Sequence, residues 1–294
     1  MDVVVATEVE IQQQNSGGVP LPRPGGILHQ FLLKDNAPDG LSFKFFRSQP
    51  QADNVFVTPR HRHSFQQVRW TESGAINYGP DQYIREGEIA YFPRGTYYGP
   101  QVKDSGVGAL LQFGFGAEHQ WGEPWDSYRA IVMKELGSRG RFERGLYVDV
   151  DPDTGEERER DSSLVVYTEQ YKLHTGEEFI VPDPGYEAPV LMHPNAFEYQ
   201  EVTKGKEVKH LGSFFNYPGP NADIHFSMVR LTDGGVYDFI DERAQVAWTT
   251  SAGLVVDEKT YPELTWLYSP RGESVSVSAE TPLELYVIDL PRLD

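Results

Sequence analysis

Residues 68–73 read VRWTES, and residues 246–251 read VAWTTS. The two segments lie 178 positions apart, from 68 to 246. A second match keeps almost the same separation, because Pro-Arg-Gly at 93–95 recurs at 270–272, which is 177 positions later. Matches that keep their order at a nearly fixed separation indicate that the chain contains an internal duplication.

A third pair of segments extends the repeat upstream. Residues 41–47 read LSFKFFR and residues 224–230 read IHFSMVR, with a separation of 183 positions. The chain also contains 28 Gly and 21 Pro, which separate short segments rich in Val, Phe, Tyr and Trp. This pattern is typical of many short strands joined by turns. The sequence therefore predicts a mainly β protein with two related units, at about residues 25–117 and 206–294.

The middle of the chain has a different pattern. The spacing of its apolar residues predicts one helix over residues 126–136, ended by Gly137, and another over residues 163–173. Residues 149–161 between them are polar and charged, so we expect an exposed hairpin or linker there. The predicted division is an amino-terminal β unit with an arm at 1–117, a partly helical linker or insertion at 118–205, and a carboxyl-terminal β unit at 206–294.

Composition excludes several classes of function. The chain has no cysteine, so a disulfide scaffold, a thiolate metal site and a cysteine nucleophile are all excluded. Its formal net charge of −18 would repel phosphate backbones and anionic lipid, so neither nucleic acid nor a membrane is expected as a partner. No apolar run approaches the roughly 20 residues of a membrane helix, and the start lacks a signal-peptide pattern. We expect a soluble, cytoplasmic protein.

The first β unit carries the residues that are best suited to metal binding or catalysis. Residues 61–67 read HRHSFQQ. In an extended strand alternate side chains face one side, so His61 and His63 should point to the same place. Gln67 follows four positions after His63, and Tyr98 follows the turn at 93–95. Two imidazoles, an amide and a phenol are therefore candidates for one site.

This segment resembles the first motif of the cupin superfamily, a family of small β-barrels. That motif runs Gly, five residues, His-x-His, three or four residues, Glu, six residues, Gly. His61, His63, Gln67 and Gly74 occupy the His, His, Glu and second Gly places at the right spacing, and Val55 stands in place of the first Gly.

The second cupin motif is also recognisable. It runs Gly, five residues, Pro-x-Gly, two residues, His, three residues, Asn. Gly87, Pro93 and Gly95 match it, whereas Tyr98 replaces the His and Val102 replaces the Asn. With the duplication, the resemblance implies a bicupin fold: two cupin-type barrels of the double-stranded β-helix or jelly-roll kind, with a partly helical central insertion.

The resemblance also implies a metal site, because typical cupins hold one divalent metal with three His and one Glu. Only His61 and His63 carry that role over directly, and Gln67 and Tyr98 would complete the set with an amide oxygen and a phenolate. Such nitrogen and oxygen ligands would suit Fe, Mn, Ni, Zn or Cu. His119 is a candidate for a third imidazole. The alternative is a metal-free pocket in which the imidazoles bind a ligand or act as acid and base.

Other residues of the first barrel are candidates for substrate binding. Arg69 lies two positions after Gln67, so alternation turns it toward the same interior, where a buried cation needs an anionic partner. That partner is either a protein carboxylate, Glu72 or Glu88, or a negative group of the substrate. The aromatic residues around the motifs would suit a flat substrate: Trp70, Tyr91, Phe92, Tyr97 and Tyr98.

The second barrel should lack this chemistry. The 178-position separation aligns His61 with Phe239, His63 with Asp241 and Gln67 with Gln245. The 177-position separation aligns Tyr98 with Val275. We therefore expect no metal site in the carboxyl-terminal barrel.

Three functions remain open from the sequence. The first is a divalent-metal-dependent oxygenase or isomerase that acts on a small aromatic or enolisable molecule, with Arg69 holding a negative group. The second is a metal-free isomerase, cyclase or lyase in which Tyr98 and a histidine act as acid and base. The third is a non-catalytic protein that binds a small molecule. Because cupin barrels commonly pair, a homodimer or a pseudo-dimer of the two units is a further expectation.

Overall fold

The structure of the protein is a computed structural model, and it describes residues 1–13, 27–37, 40–51, 56–103, 105–232 and 234–293. Strands predominate in this part of the chain, which confirms the predicted mainly β class. Val55, which stands at the first glycine place of the cupin motif, lies outside the described residues. None of the helices in the described ranges has the length and apolar character needed to cross a membrane.

The strands and helices follow one another along the chain in three groups. The amino-terminal strands are β1 (Asp2–Val5), β2 (Gln12–Gln13), β3 (Ile27–Asn36), β4 (Leu41–Pro50), β5 (Phe56–Thr58), β6 (Gln66–Ser73), β7 (Ala75–Gly79), β8 (Gln82–Arg85), β9 (Ile89–Phe92), β10 (Gln101–Lys103) and β11 (Val107–Phe115). The central elements are α1 (Trp125–Arg139), β12 (Gly140–Glu143), β13 (Leu146–Val150), β14 (Glu157–Asp161), α2 (Ser162–Thr175) and β15 (Val190–Met192). The carboxyl-terminal strands are β16 (Gln200–Thr203), β17 (Lys206–Phe215), β18 (Asp223–Leu231), β19 (Val236–Asp238), β20 (Gln245–Thr249), β21 (Leu254–Val256), β22 (Lys259–Tyr261), β23 (Thr265–Ser269), β24 (Ser276–Ala279) and β25 (Leu283–Asp289).

The chain divides into two compact units that differ from the contiguous division predicted from the sequence. The first unit comprises Ile11–His29 and Arg47–Leu191, and the second comprises Met1–Glu10, Gln30–Phe46 and Met192–Asp294. The amino-terminal strand is one reason for the difference, because β1 pairs along its length with β23 of the second unit. The helical segment predicted as a separate linker belongs to the first unit as far as Leu191.

The first unit is built on antiparallel sheets. Its largest sheet has the order β15-β9-β6-β11-β4-β3-β2, in which β3 and β4 contribute residues to both units. Smaller sheets pair β10 with β5 and β7 with β8. Tyr78, Ile84, Ala90, Phe92 and Tyr98 form a buried apolar cluster in this unit. Burial of such side chains is the main favourable term that holds the strands together.

The second unit repeats this plan. Its sheets have the orders β1-β23-β20-β25-β18-β17-β16 and β19-β24-β21-β22. Leu231, Leu254, Leu267 and Leu285 are fully buried in its core. The repeated tryptophan, Trp248, is also fully buried in this unit.

The predicted duplication is visible in the hydrogen bonds. Strand β6 pairs on both sides with β11 and β9, and its counterpart β20 pairs on both sides with β25 and β23. After these strands, the Gly95 amide donates to the carbonyl of His63 at 2.8 Å. The Gly272 amide likewise donates to the carbonyl of Asp241 at 2.8 Å. His63 and Asp241 are the positions that the 178-residue separation aligns, so the two turns are structurally equivalent.

The central helices lie where the apolar spacing predicts them, but their ends differ. Helix α1 continues through Gly137 to Arg139, because Leu136 is buried against the neighbouring strands and Gly140 ends the helix instead. Helix α2 begins after Asp161, whose carboxylate accepts from the Leu164 amide at 2.7 Å. Between the helices, β13 and β14 form a hairpin whose second strand is exposed, as expected, and carries ion pairs, whereas β13 buries Tyr147 and Val148.

Candidate functional site

The two motif histidines lie in the segment between β5 and β6. His61 forms an isolated antiparallel bridge with Tyr98, in which its amide donates to the Tyr98 carbonyl at 2.9 Å and its carbonyl accepts in return at 3.0 Å. The side chains of both residues are buried, and their ring centroids lie 4.3 Å apart. His61 Nδ1 is 2.7 Å from the carbonyl oxygen of Pro59. Because a carbonyl only accepts, Nδ1 donates in this contact, and a neutral His61 ring carries its proton there.

His63 lies beside His61, with ring centroids 5.0 Å apart and planes nearly perpendicular. It also stacks on Phe65 at 4.6 Å. The candidate third imidazole, His119, is buried, and its ring lies 5.2 Å from that of Phe65. Phe65 therefore contacts both histidines and lies between the rings of His63 and His119.

Arg69 donates hydrogen bonds to the side-chain oxygens of Gln67 and Tyr98. Gln67 and Arg69 alternate along β6 and so share a face, as the sequence predicts. Arg69 Nε and Nη2 donate to Gln67 Oε1 at 3.2 and 3.0 Å, and Nη2 donates to the Tyr98 hydroxyl at 2.9 Å. The guanidinium also lies over the Phe92 ring at 4.3 Å. All four side chains are buried.

These bonds decide whether the residues fit the metal site that the resemblance implies. Gln67 Oε1 and the Tyr98 oxygen accept hydrogen bonds from a cationic guanidinium, whose charge would repel a divalent ion at these oxygens. His61 and His63 alone fall short of the three or four protein ligands of stable sites. Among the described residues, no cluster of three or more His, Asp or Glu side chains is arranged to hold a metal. The predicted four-residue ligand set does not fit.

The carboxylates proposed as partners of Arg69 have other contacts. Glu72 accepts two hydrogen bonds from Arg47, at 2.6 and 2.8 Å. Glu88 Oε2 accepts from the Arg85 amide at 2.7 Å. In these contacts Glu72 neutralises Arg47, and Glu88 accepts a backbone hydrogen bond from Arg85.

Three of the aromatic candidates, Trp70, Tyr91 and Tyr97, lie away from the Arg69 group. Trp70 is buried one position after Arg69, and the alternation of β6 places it on the opposite face of the strand. The Tyr91 hydroxyl donates to Gln66 on that same opposite face. Tyr97 is 39% exposed and packs under the guanidinium of Arg60 at 4.4 Å. The guanidinium of Arg69 lies instead over the rings of Phe92 and Tyr98, at 4.3 and 4.9 Å.

One group inside the first unit is not evident from the sequence pattern. Lys103, on β10, is only 7% exposed, and its Nζ donates to Ser48 Oγ on β4 at 2.7 Å. Burial, and then the positive charge of Arg69, lower the pKa of Lys103 from 10.5 to about 7. Sequence reasoning does not find this lysine because β10 reverses the usual pattern. The strand buries its polar residues, Gln101 and Lys103, and leaves Val102 43% exposed.

The second unit, for which the repeat predicts no metal site, holds a cluster of polar and charged side chains. Gln245, the counterpart of Gln67, donates to Asp289 at 2.5 Å. His225 contacts Asp223 at 2.5 Å and Asp289 at 3.3 Å through its two ring nitrogens. Arg243 donates to Asp223 at 2.8 Å. Both nitrogens of His225 are occupied by carboxylates, so this cluster is an internal ion-pair network, and the expectation of no metal site in this unit is left unchanged.

The bonds to Asp289 raise the pKa of His225, and those to Asp223 raise it further. Burial acts to raise the pKa of Asp223, but hydrogen bonds from Arg243 and His225 outweigh it, and the pKa is lowered overall. The imidazolium and carboxylate forms are thus both favoured in the folded protein.

Comparison with known proteins shows likeness at the level of fold. No protein-family model matches the chain, and no curated protein sequence matches it. A crystal structure of a candidate dioxygenase from Nostoc punctiforme is similar with a TM-score of 0.55 at 12% identity, over 99% of this chain and 82% of that one. Two variants of oxalate decarboxylase from Bacillus subtilis are similar, each with a TM-score of 0.50 at 13% identity, over 99% of this chain and 77% and 78% of theirs.

These structures differ in the reaction that their names give, so the shared property is the architecture. Together with the duplicated sheets and the matched turns, the comparison with the Nostoc protein gives this chain a mainly β fold of the cupin-barrel type.

Proposed function

We propose that the chain is a cupin-type enzyme whose first unit acts on a small, enolisable organic anion by metal-free acid and base chemistry. Tyr98 and His61 transfer the proton, and Arg69 holds the negative group of the substrate. The reaction class is isomerisation, cyclisation or elimination next to a carbonyl. The observation that carries the proposal is the bond from Arg69 to the Tyr98 hydroxyl beside the ring of His61.

Each residue has a role that follows from its contacts. The carbonyl of Pro59 fixes the proton of His61 on Nδ1, so Nε2 presents a lone pair that can accept a proton. The guanidinium of Arg69 lies where negative charge would develop when Tyr98 gives up its proton. Phe92 and the other apolar side chains of the cluster exclude water, which strengthens each of these interactions.

His63 supports the proton-transfer pair. Its ring lies 5.0 Å from His61 and 5.9 Å from Tyr98, so it reaches both partners while its other face is stacked on Phe65. A half-buried imidazole in this position suits the transfer of protons between the interior and solvent.

The test is exchange of α-hydrogens for deuterium. Phenylpyruvate and pyruvate are incubated with the protein in D₂O, and the loss of their C–H signals is followed by NMR. We expect saturable exchange that Tyr98→Phe lowers by about 10²–10⁴-fold, the range of general acid and base contributions. Tyr97→Phe, which alters an exposed neighbour, should leave exchange unchanged.

Three results would contradict the proposal. Exchange that survives in Tyr98→Phe would remove the acid and base role of Tyr98. Exchange that is lost on dialysis against a chelator and restored by one divalent metal would favour the metal-dependent alternative. Saturable binding of the probes without any exchange would favour the non-catalytic binding protein.

A further inference from the structure

Lys103 is a buried ionisable group of the first unit that the proposed chemistry leaves unused. It extends from β10, and its Nζ reaches Ser48 Oγ on β4 at 2.7 Å, with the Ser48 carbonyl at 3.5 Å. Both residues belong to the first unit, and Ser48 is 2% exposed. The amine is thus held in the interior by a neutral hydroxyl.

The surroundings of this amine are unusual for a lysine. Buried lysines are normally paired with a carboxylate, because an isolated ammonium is costly to remove from water. Within the described residues, no carboxylate contacts Nζ of Lys103, and Arg69 is the charged group that acts on it. Burial and the charge of Arg69 both disfavour the ammonium form.

The consequence is that a large fraction of the Lys103 side chains is unprotonated near neutral pH, because their pKa is lowered to about 7. The unprotonated fraction is roughly a thousandfold larger than for an ordinary lysine of pKa 10.5. Lysines desolvated beside another cation are the ones that act as nucleophiles toward carbonyl groups.

Arg69 links this amine to the site described above. The same guanidinium donates to Gln67 and Tyr98 and places its charge on Lys103. A ligand whose carboxylate is held by Arg69 would therefore lie in the same interior as the amine and the phenol. A 2-oxo acid carries both required groups, a carboxylate and an adjacent carbonyl.

We propose that Lys103 is a nucleophilic amine that forms an imine with the carbonyl of a small 2-oxo acid held by Arg69. This inference rests on the proposed function for its substrate class and extends it with a covalent step. The Nζ lone pair forms a bond to the carbonyl carbon, and the carbonyl oxygen takes up a proton to give a carbinolamine. Loss of one water molecule then gives the C=N bond. The imine withdraws electrons from the α-carbon, so the α-proton is released to a base more readily, and water regenerates the amine at the end.

The experiment traps the imine in the full-length wild-type protein. The protein is incubated with pyruvate, reduced with sodium borohydride, digested and analysed by peptide mass spectrometry. We expect one reduced pyruvate on Lys103. Lys209 is the internal control, since it is comparably buried, at 9% exposed, and its Nζ donates to the Pro194 carbonyl at 3.2 Å. Labelling of Lys103 should exceed that of Lys209 by more than about tenfold.

Further measurements test the roles of Arg69 and Lys103. The pH dependence of labelling should have its midpoint at about 7, and Arg69→Met should move that midpoint upward because one cation is removed. With methyl pyruvate, which lacks the charge, the ratio of Lys103 to Lys209 labelling should fall by about tenfold. Lys103→Met should lose the adduct, whereas Lys209→Met should keep it.

The outcomes separate this inference from the proposed function. Equal labelling of Lys103 and Lys209 across pH 7 to 9 would overturn the imine, and so would an unchanged midpoint in Arg69→Met. Trapping at Lys103 together with unimpaired α-hydrogen exchange in Tyr98→Phe would keep the imine and remove the acid and base role of Tyr98. Absent trapping with exchange lost in Tyr98→Phe would do the reverse.

Discussion

The duplicated turn offers a matched pair of glycine substitutions. Gly95 and Gly272 occupy equivalent positions after β9 and β23, and both have left-handed backbone, with φ of +75° and +87°. They differ in their surroundings. A Cβ added at Gly95 would lie 2.5 Å from the Pro182 carbonyl oxygen and 3.0 Å from the nitrogen of Pro184, whereas one added at Gly272 would meet nothing within 4 Å.

The expected losses of stability follow from two effects, the left-handed backbone and the steric contact of the added Cβ. An L-residue in left-handed backbone costs about 1–2 kcal/mol, and both Gly95→Ala and Gly272→Ala incur that cost. Forcing an extra carbon against fixed backbone adds about 1–3 kcal/mol, and only Gly95→Ala incurs it. We therefore expect Gly95→Ala to lower the free energy of unfolding by about 2–5 kcal/mol and Gly272→Ala by about 1–2 kcal/mol.

The measurement is urea denaturation followed by circular dichroism for both variants and the wild type. Hydrogen exchange at the two turn amides, which donate to His63 and Asp241, reports the local effect. Gly95→Ala should also loosen the Thr96 hydroxyl bond to the Tyr186 carbonyl, since the clash lies in the same loop. Equal losses in the two variants would refute the contact between this turn and residues 182–184.

Two further predictions concern the ion-pair network of the second unit. Arg243→Met should lower the free energy of unfolding by about 3 kcal/mol, because it leaves the buried carboxylate of Asp223 without its guanidinium, and urea denaturation measures this loss. Adding Asp223→Asn to Arg243→Met should recover part of the loss. A double variant that is no more stable than Arg243→Met would contradict the pairing. The raised pKa of His225 gives a stabilisation that is fully present below about pH 6.5 and is lost as the pH rises through the folded pKa. Thermal unfolding at a series of pH values should show this decline, and His225→Gln should remove it; an identical pH profile in the variant would show that the imidazolium does not stabilise the fold.

Much of the architecture could be predicted from the sequence, because strand alternation and turn residues are local signals. The repeated segments at 68–73 and 246–251 form the central strands β6 and β20, and the repeated turns make equivalent bonds. Helix positions followed from apolar spacing. The end of α1 did not, since packing of Leu136 carries the helix past Gly137.

The candidate site was predictable only in part. Alternation places Gln67 and Arg69 on one face, but the bond from Arg69 to Tyr98 depends on pairing between distant strands. Lys103 was missed because β10 reverses the usual pattern, with a lysine inside and Val102 outside.

The network in the second unit was missed for a related reason. Asp223 and His225 lie on β18, Gln245 on β20 and Asp289 on β25, and Gln245 is the one member at an aligned motif position. The sheet register brings the others together, because Asp289 stands opposite His225 on one side and opposite Gln245 on the other. A register of this kind is set by the whole sheet and leaves no mark on any single segment.

The position of Arg69 has a consequence for the order of events in the barrel. An incoming carboxylate that neutralises the guanidinium would weaken its effect on Lys103, so the pKa of that amine would rise on loading. Occupancy and amine basicity are then thermodynamically linked, and uptake of an anion is accompanied by uptake of a fraction of a proton. A single cation would in this way couple the filling of the barrel to the charge carried by its buried amine.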